Sequence, residues 1–189
     1  MDAAKNRKKI RVKDLAMTAM GVALIVLCSW ISVPLTVPFT MQTFAVCLLA
    51  ALLGARRGLW TVGVYVLLAA VGVPVLSGFK GGVGALLGVT GGYIIGFFFT
   101  AITVGLSAEL WGRKLRVLIP AMAVGILLCY VFGTAWFIFV YAKSSGPIGI
   151  GAALGWCVLP YLPADALKIV LASLLAVRLY PTLERDLSW

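Results

Sequence analysis

The chain has 189 residues, of which 62% are hydrophobic and 12% are charged, and its mean hydropathy is +1.09. This composition excludes a soluble globular domain and predicts an all-α integral membrane protein. The formal net charge of +10 would suit nucleic-acid binding, but the basic residues stand in short clusters between apolar segments. We therefore interpret them as topology signals and expect no nucleic-acid partner.

Residue types that commonly carry metal or nucleophile chemistry are sparse. The chain has no His, and its four cysteines are scattered without a Cys-x-x-Cys spacing: Cys28, Cys47, Cys129 and Cys157. A metal site or a Cys/His nucleophile therefore has no basis in the sequence. The pattern Gly-x-x-x-x-Gly-Lys-[Ser/Thr] does not occur either, which excludes ATP hydrolysis through a P-loop. We expect neither an enzyme nor a resident metal or cofactor.

The N-terminal end combines a basic tail with an apolar segment. We predict that residues 1–14 form a cytoplasmic tail and that residues 15–189 form one transmembrane domain, whose first segment covers about 15–33. Within this segment Ala19 and Ala23 place small residues four apart, a spacing that lets another helix approach closely. Docking of a partner and ordinary internal packing are both open interpretations.

Prolines separate the first apolar segment from the second, and two arginines separate the second from the third. Pro34 and Pro38 disfavour helical geometry before them, so residues 34–42 are predicted as a non-cytoplasmic loop. Segments two and three cover about 43–54 and 59–71. Arg56 and Arg57 between them mark a cytoplasmic turn.

A glycine-rich stretch follows at 72–92 and contains eight of the 21 glycines. Because Val, Leu and Phe stand between the glycines, we interpret it as a re-entrant loop packed in protein, whose backbone can approach a ligand. Lys80 is its only charge. The alternative is a mobile outer loop with a solvated lysine.

The C-terminal half is predicted to contain three transmembrane segments, and prolines break the last of its apolar stretches. Segments four and five cover about 93–110 and 117–141, and the basic flank between them is cytoplasmic. Residues 148–178 would span about 46 Å as one helix, too long for a hydrocarbon core of about 30 Å. Pro160 and Pro163 break this stretch into a short outer helix, 148–159, and a spanning helix, 163–179, closed on the inside by Arg178 and Arg185.

The distribution of basic residues predicts the topology. All but three of the 16 Lys and Arg residues fall on one side of the predicted segments, the exceptions being Lys80, Lys143 and Lys168. Six transmembrane helices with both termini in the cytoplasm satisfy this distribution.

Asp165 and Lys168 are an acid and a base within apolar sequence. Three residues apart, they share one face of a helix, and Pro163 suits its first turn, which places Asp165 near the positive end of the helix dipole. An unpaired charge at membrane depth costs several kcal/mol, so such residues commonly mark a site. The alternative is an ion pair that only holds helices together.

The three irregular stretches, 34–42, 72–92 and 148–163, all lie on the predicted outer side and can roof one pocket. A few placed polar groups in an apolar concavity describe a small-molecule site, here for a neutral or weakly anionic ligand. The candidate polar groups are Thr40, Gln42, Ser77, Lys80, Thr90, Tyr93, Asp165 and Lys168, and the candidate apolar walls are Phe39, Phe79, Trp156 and Tyr161.

Five ordered motifs stand along the chain: Val37-Pro-Phe-Thr-Met-Gln-Thr43, Tyr65-Val-Leu-Leu-Ala-Ala-Val-Gly-Val-Pro-Val75, Gly78-Phe-Lys-Gly-Gly-Val-Gly84, Gly88-Val-Thr-Gly-Gly-Tyr-Ile-Ile-Gly-Phe97 and Leu159-Pro-Tyr-Leu-Pro-Ala-Asp-Ala-Leu-Lys168. Together they resemble the BioY family, the biotin-binding S components of energy-coupling factor (ECF) transporters. The resemblance implies a six-helix S component in the bacterial plasma membrane that captures biotin from outside. A transmembrane coupling subunit and two ABC-type ATPase subunits would drive its uptake.

The resemblance also implies roles for single residues. Asp165 and Lys168 match the family's Asp-x-x-Lys, which contacts biotin, and Ala19-x-x-x-Ala23 is similar to the motif that S components present to the coupling subunit. Phe79-Lys80 and Val89 depart from the expected glycine-arginine and proline. The predicted substrate-binding residues are Asp165, Lys168, Lys80, Tyr93, Gln42, Thr40, Gly82, Thr90 and Tyr161.

The orientation of biotin stays open at this level. Asp165 can accept a ureido N–H while Lys168 donates to the ureido carbonyl, or Lys168 or Lys80 can pair with the biotin carboxylate. Two other functions are alternatives: an S component for another vitamin, such as riboflavin or thiamine, and an intramembrane enzyme that uses Asp165 as a base.

Overall fold

A computed structural model describes residues 12–35 and 37–187, with side chains to residue 184, as a bundle of helices with irregular segments at one end. The helices are α1 (Val12–Trp30), α2 (Gln42–Ala70), α3 (Val83–Leu86), α4 (Gly91–Trp111), α5 (Leu115–Ser145), α6 (Ile150–Cys157) and α7 (Leu162–Leu187). Two short strands, β1 (Ser32–Val33) and β2 (Phe39–Thr40), pair antiparallel. Of the basic tail predicted for residues 1–14, residues 1–11 lie outside this description and residues 12–14 belong to α1. The side chain of Arg185 also lies outside it.

Helix α2 consists of two arms that meet at Gly54. This residue has φ 80° and ψ 176°, a backbone conformation open to glycine alone, and the arms on either side pack together at Ala50 and Gly58. They correspond to predicted segments two and three. The reversal falls at Gly54 itself, however, and Arg56 and Arg57 are helical and not part of a turn.

Two side chains at the C-terminal end of α4, one within the helix and one just after it, explain why the reversal can be so short. The Ala55 N–H donates to Glu109 Oε1 at 3.0 Å, and Arg113 Nε donates to the Ala51 carbonyl at 2.8 Å. Glu109 therefore caps the start of the second arm, and Arg113 caps the end of the first arm. Backbone groups that a longer loop would satisfy are satisfied here by a neighbouring helix.

Close helix approaches position the wall of the bundle that later forms the site. Helix α4 packs on α5, and a Cβ at Gly133 would overlap the ring of Tyr93, while one at Gly96 would lie 3.0 Å from the Cα of Cys129. Small residues at such crossings let two backbones approach, which is how helices commonly associate in membranes. Tyr93 and Cys129 are thereby fixed on facing helices.

Four of the described helices are long and apolar enough to cross a membrane: α1, α2, α4 and α5. This confirms the prediction of an all-helical membrane protein at the level of fold class. Helix α2 counts once in this set although it has two arms, and α7, which carries Asp165 and Lys168, is not among the four.

The irregular segments have more structure than the sequence predicts. Ser32 and Val33, predicted as the end of the first helical segment, instead form a strand that pairs with Thr40 and Phe39 of the 34–42 stretch. In the glycine-rich stretch Leu76 bridges to Lys80 before the short helix α3. Helix α6 lies within the predicted outer helix 148–159. Helices α5 and α7 run several residues beyond their predicted ends.

Candidate ligand-binding site

A cavity of about 390 Å³ lies at the end of the bundle that carries the irregular segments. Helices α2, α4, α5 and α7 line it together with the three irregular segments. Most predicted site residues border it: Phe39, Thr40, Gln42, Ser77, Lys80, Thr90, Tyr93, Tyr161, Asp165 and Lys168. Its size and its mixture of apolar walls with a few polar groups suit a small molecule.

Three predicted residues lie elsewhere. The Gly82 N–H donates to the Ala69 carbonyl at 2.6 Å, so this glycine ties the loop back to α2 and does not line the cavity. Phe79 packs on Trp30, with ring centroids 5.0 Å apart, and Trp156 packs edge-on against Tyr141. Neither ring borders the cavity, because each is directed toward a neighbouring helix end.

The acid–base pair of α7 is buried in the cavity wall. Asp165 and Lys168 are each 4% exposed, and Lys168 Nζ lies 2.7 Å from Asp165 Oδ1. Asp165 stands in the first turn of α7, where the helix dipole favours a negative charge, as the position of Pro163 predicts. The neighbours of the pair therefore decide what it can still bind.

Lys168 has all three of its ammonium N–H groups engaged. Besides Asp165 Oδ1, it donates to the Thr40 carbonyl at 2.7 Å and to Thr43 Oγ1 at 3.2 Å. Its Nζ also lies 3.9 Å from the ring centroid of Phe39, within the range of a cation–π contact. The ammonium thus holds the 37–40 segment against α7.

Asp165 has two further partners that the sequence analysis did not identify, Tyr130 and Thr43. The Tyr130 hydroxyl on α5 donates to Asp165 Oδ2, and Thr43 Oγ1 on α2 donates to Oδ1 at 3.2 Å. Among the described residues Oδ1 therefore has two donors and Oδ2 has one. Since a carboxylate oxygen accepts about two hydrogen bonds, the open acceptor position is on Oδ2, beside Tyr130.

Tyr161 closes the cavity from the loop between α6 and α7. Its hydroxyl donates to the Val37 carbonyl, and its ring stacks on Phe39 at 6.1 Å between centroids. Burial raises the pKa of this phenol, so the hydroxyl keeps its proton and remains a donor at neutral pH. Together with Lys168, Tyr161 fixes the first irregular segment.

A second set of hydrogen bonds joins the first irregular segment to the glycine-rich loop. Thr40 Oγ1 donates to Gln42 Oε1 at 3.1 Å, Gln42 Nε2 donates to the Tyr65 hydroxyl, and Tyr65 donates to the Val75 carbonyl at 3.1 Å. Gln42 is buried and borders the cavity. Its position is therefore set by residues on both loops.

The α4 side of the cavity is fixed through α5. The hydroxyls of Tyr93 and Thr134 lie 3.0 Å apart, and Trp136 Nε1 donates to the Gly88 carbonyl at 3.0 Å. The segment that carries Thr90 is thereby anchored. No sequence motif predicted Trp136, because its contact joins residues 48 positions apart.

The charges divide the cavity into two regions. Lys80 is exposed and borders the opening, whereas Asp165 and Lys168 form a buried, compensated pair. No group of three or more His, Cys, Asp or Glu residues that could hold a metal ion occurs in residues 12–35 and 37–187. The arrangement suits a ligand with hydrogen-bond donors at its buried end and an anionic group at the opening.

Ala19 and Ala23 lie on the exposed side of α1, away from the cavity. Their neighbours on the same side include Leu15 at 65% exposure and Leu27 at 56%. Small residues between larger apolar ones leave a shallow groove along the helix. This geometry is open to a partner helix or to lipid.

Known proteins are similar to this chain in both sequence and fold. The sequence model of the BioY family matches residues 4–185. The chain is 38% identical over 169 residues to the Biotin transporter BioY of Thermotoga maritima, covering 89% of this chain and 96% of that protein. It is 36% identical over 171 residues to the Probable biotin transporter BioY of Pyrococcus horikoshii, covering 90% and 98%.

A solved structure matches the whole bundle. The crystal structure of the S-component for biotin from an ECF-type ABC transporter superposes with a TM-score of 0.80, 27% sequence identity and 94% coverage of each chain. The helical arrangement described above is therefore that of an S component.

Proposed function

This chain belongs to the BioY family, and we propose that it is a biotin-binding S component, a membrane subunit that takes up biotin together with an ECF module. The family assignment confirms the sequence-based prediction of a transport protein and not an enzyme. It also decides against riboflavin or thiamine as the principal ligand, because the matched relatives are named for biotin.

The observation that carries the assignment of the binding site is the buried pair of Asp165 and Lys168 in the wall of the outer cavity. Burying two charges costs several kcal/mol per ion before their attraction is counted, so a purely structural role would be served as well by apolar residues. A carboxylate with one open acceptor position is instead suited to a ligand N–H. Biotin supplies two such groups in its ureido ring.

We propose that the ureido ring enters first and that the biotin carboxylate stays near the opening. A ureido N–H then meets Asp165 Oδ2 beside Tyr130, a position without another donor among the described side chains. The reverse orientation would bring the biotin carboxylate against that of Asp165, and two like charges in a buried site repel strongly. Lys80, exposed at the opening, is placed to pair with the carboxylate.

In this pose Lys168 donates hydrogen bonds both to the ligand and to the first irregular segment. It can donate to the ureido carbonyl only by giving up Thr40 or Thr43, since its three N–H groups are engaged. The remaining predicted residues, Gln42, Thr90, Tyr93 and Tyr161, contribute the walls, and Gly82 acts through the loop backbone.

We further propose the membrane arrangement and the partners. The two arms of α2 with α1, α4, α5 and α7 give six spans, with both termini in the cytoplasm and the cavity facing outward in the plasma membrane. A transmembrane coupling subunit docks on α1 at Ala19 and Ala23, and two ABC-type ATPase subunits supply the energy. The fold of an S component and the exposed small residues of α1 support this arrangement.

Isothermal titration of biotin into detergent-purified protein, stripped of carried-over ligand, tests the function. We expect saturation near one biotin per chain. Biotin amide tests the position of the carboxylate. If the carboxylate lies at Lys80, the amide should bind more weakly than biotin. This loss of affinity should be larger for the wild-type protein than for Lys80→Ala. If no heat and no competition with labelled biotin are detected, the chain does not bind biotin under these conditions and the proposal fails.

A further inference from the structure

The outer end of α1 carries an exposed aromatic pair that the binding site does not use. Trp30, the last residue of α1, contacts Phe79 at the tip of the glycine-rich loop, with ring centroids 5.0 Å apart and an interplanar angle of 34°. The two side chains are 39% and 64% exposed. Two large rings in contact and still exposed require a partner other than the core of this chain.

Phe79 occupies its position at a conformational cost. With φ 56°, it is the one non-glycine residue with positive φ in the described part of the chain. A bulky residue in this region is uncommon, and such strain persists where the surroundings favour it. The turn that holds it is closed by the Leu76 N–H, which donates to the Lys80 carbonyl at 3.0 Å.

The length of α1 gives the depth of the pair. Its 19 residues span about 28 Å at about 1.5 Å per residue, close to the hydrocarbon thickness of about 30 Å. When its N-terminal end lies at one boundary of the hydrocarbon, Trp30 therefore lies at the other. Trp is enriched at this boundary because its ring is amphipathic.

The surface around the pair is apolar. Ile31 is 63% exposed, Val71 77% and Val73 39%. A water-facing outer loop would interrupt this surface with polar groups. Because these side chains lie next to Trp30, at the hydrocarbon boundary and beyond the Ala19–Ala23 groove, lipid is the occupant that suits them.

We propose that Trp30 and Phe79 form a lipid anchor that seats the glycine-rich loop in the outer boundary of the bilayer. Trp30 Nε1 donates to the Pro74 carbonyl at 3.0 Å, and the neighbouring Ser29 hydroxyl donates to the Val75 carbonyl, so the end of α1 and the loop move together. The opposite side of this loop supplies Leu76, Ser77 and Lys80 to the cavity. One wall of the cavity is thus held in place by the membrane.

Fluorescence quenching in lipid nanodiscs tests the anchor. The Phe79→Trp variant contributes tryptophan fluorescence beyond that of the wild-type protein. Lipids brominated near the headgroup end of the acyl chain should quench this additional emission at least twofold more than aqueous iodide does. Ser144→Trp, at the exposed C-terminal end of α5, is the matched control and should respond to iodide.

Trp30→Phe gives a second, independent reading, because it should remove a lipid-quenched component from the wild-type emission. The anchor is overturned if the emission added at position 79 is quenched by iodide and not by brominated lipid, which would place the loop in water. Equal insensitivity to both quenchers would indicate a protein partner or a second copy and would also overturn it. These readings need no biotin, so they are independent of the proposed transport function.

Discussion

At the scale of single residues, the structure shows how Asp165 is held as an oriented acceptor. Lys168 and Thr43 donate to one of its oxygens and Tyr130 donates to the other. The carboxylate is therefore held by its own helix and by two others, α2 and α5. The sequence predicts the Lys168 contact, since both residues lie on one helix face. Tyr130 and Thr43 are 35 and 122 positions away, where no local pattern can indicate contact.

Removing the charge of Asp165 should weaken biotin binding at least tenfold. Asp165→Asn replaces a charged acceptor with an amide, whose N–H groups would face the donors Lys168, Thr43 or Tyr130. A tenfold loss of biotin affinity corresponds to about 1.4 kcal/mol. Titration of biotin into the purified variant measures the effect. Asp14→Asn, which alters the partly exposed pair with Arg57, is the control and should bind as wild type does. Near-normal binding by Asp165→Asn would exclude a direct contact with the ligand.

Lys168→Ala should also weaken binding at least tenfold, and it should in addition lower stability. Breaking a buried pair leaves an uncompensated charge at a cost of about 3–5 kcal/mol, and the Thr40 carbonyl loses its donor. Thermal unfolding followed alongside biotin titration separates the two effects. Lys143→Ala, where the ammonium lies over Phe139 at the end of α5, provides the control. Unchanged affinity in a folded Lys168→Ala protein would contradict the proposed site.

Tyr130→Phe tests the neighbour that only the structure reveals. Loss of its hydroxyl frees Asp165 Oδ2 to turn, and we expect about a tenfold loss of biotin affinity, since a hydrogen bond to a charged group contributes about 1.5–3 kcal/mol. Equilibrium binding of labelled biotin measures this change. Tyr180→Phe removes a hydroxyl that donates to exposed Glu184 and should leave affinity unchanged. If the two variants bind equally well, Tyr130 does not orient the acceptor.

At the scale of elements, the reversal at Gly54 joins the two arms of α2 and so places Thr43 and Gln42 against α7. The two arginines that follow the first apolar run correctly indicate two separate arms. The predicted turn is misplaced by a few residues, since the arms are capped by Glu109 in α4 and by Arg113 just after α4, more than 50 positions along the chain. Helix caps supplied from a distance leave no signal in the local sequence.

Gly54→Ala should destabilise the fold more than Gly112→Ala. Both glycines have positive φ and extended ψ, a region in which a side chain costs about 1–3 kcal/mol. A Cβ at Gly54 would also overlap the Glu109 carboxylate, whereas nothing lies within 4 Å of one at Gly112. The thermal midpoint in detergent compares them. Equal midpoints would show that Glu109 adapts without loss of its cap.

At the scale of the whole molecule, the cavity lies at one end of the bundle and the small residues of α1 lie on its flank. This separation allows ligand binding and partner docking to be changed independently. The single-domain organisation of residues 15–189 and the six-span topology stay predictions. The S-component fold and the biotin-transporter relatives support them.

Bulky residues at the proposed docking groove should abolish uptake and spare binding. In Ala19→Trp and Ala23→Trp, a large ring fills the space that a partner helix needs, so biotin uptake by cells that carry the coupling module should fall at least tenfold. Biotin affinity of the purified variants should be that of wild type. Leu67→Trp, on the exposed side of α2, is the matched control. Normal uptake by both Ala variants would place the coupling subunit elsewhere.

The sequence by itself determined the membrane-protein class, the order of the helical segments, the placement of the irregular stretches at one end of the bundle and the pairing of Asp165 with Lys168. These features follow from hydropathy, from the distribution of basic residues and from spacing along one helix, which are all local. Only the tertiary structure decided that Tyr130 and Thr43 donate hydrogen bonds to the Asp165 carboxylate and that Glu109 and Arg113 cap the two arms of α2. It also decided that Phe79 packs on Trp30 outside the cavity. Each of these contacts joins residues from different elements, and its geometry depends on how closely the helices pack.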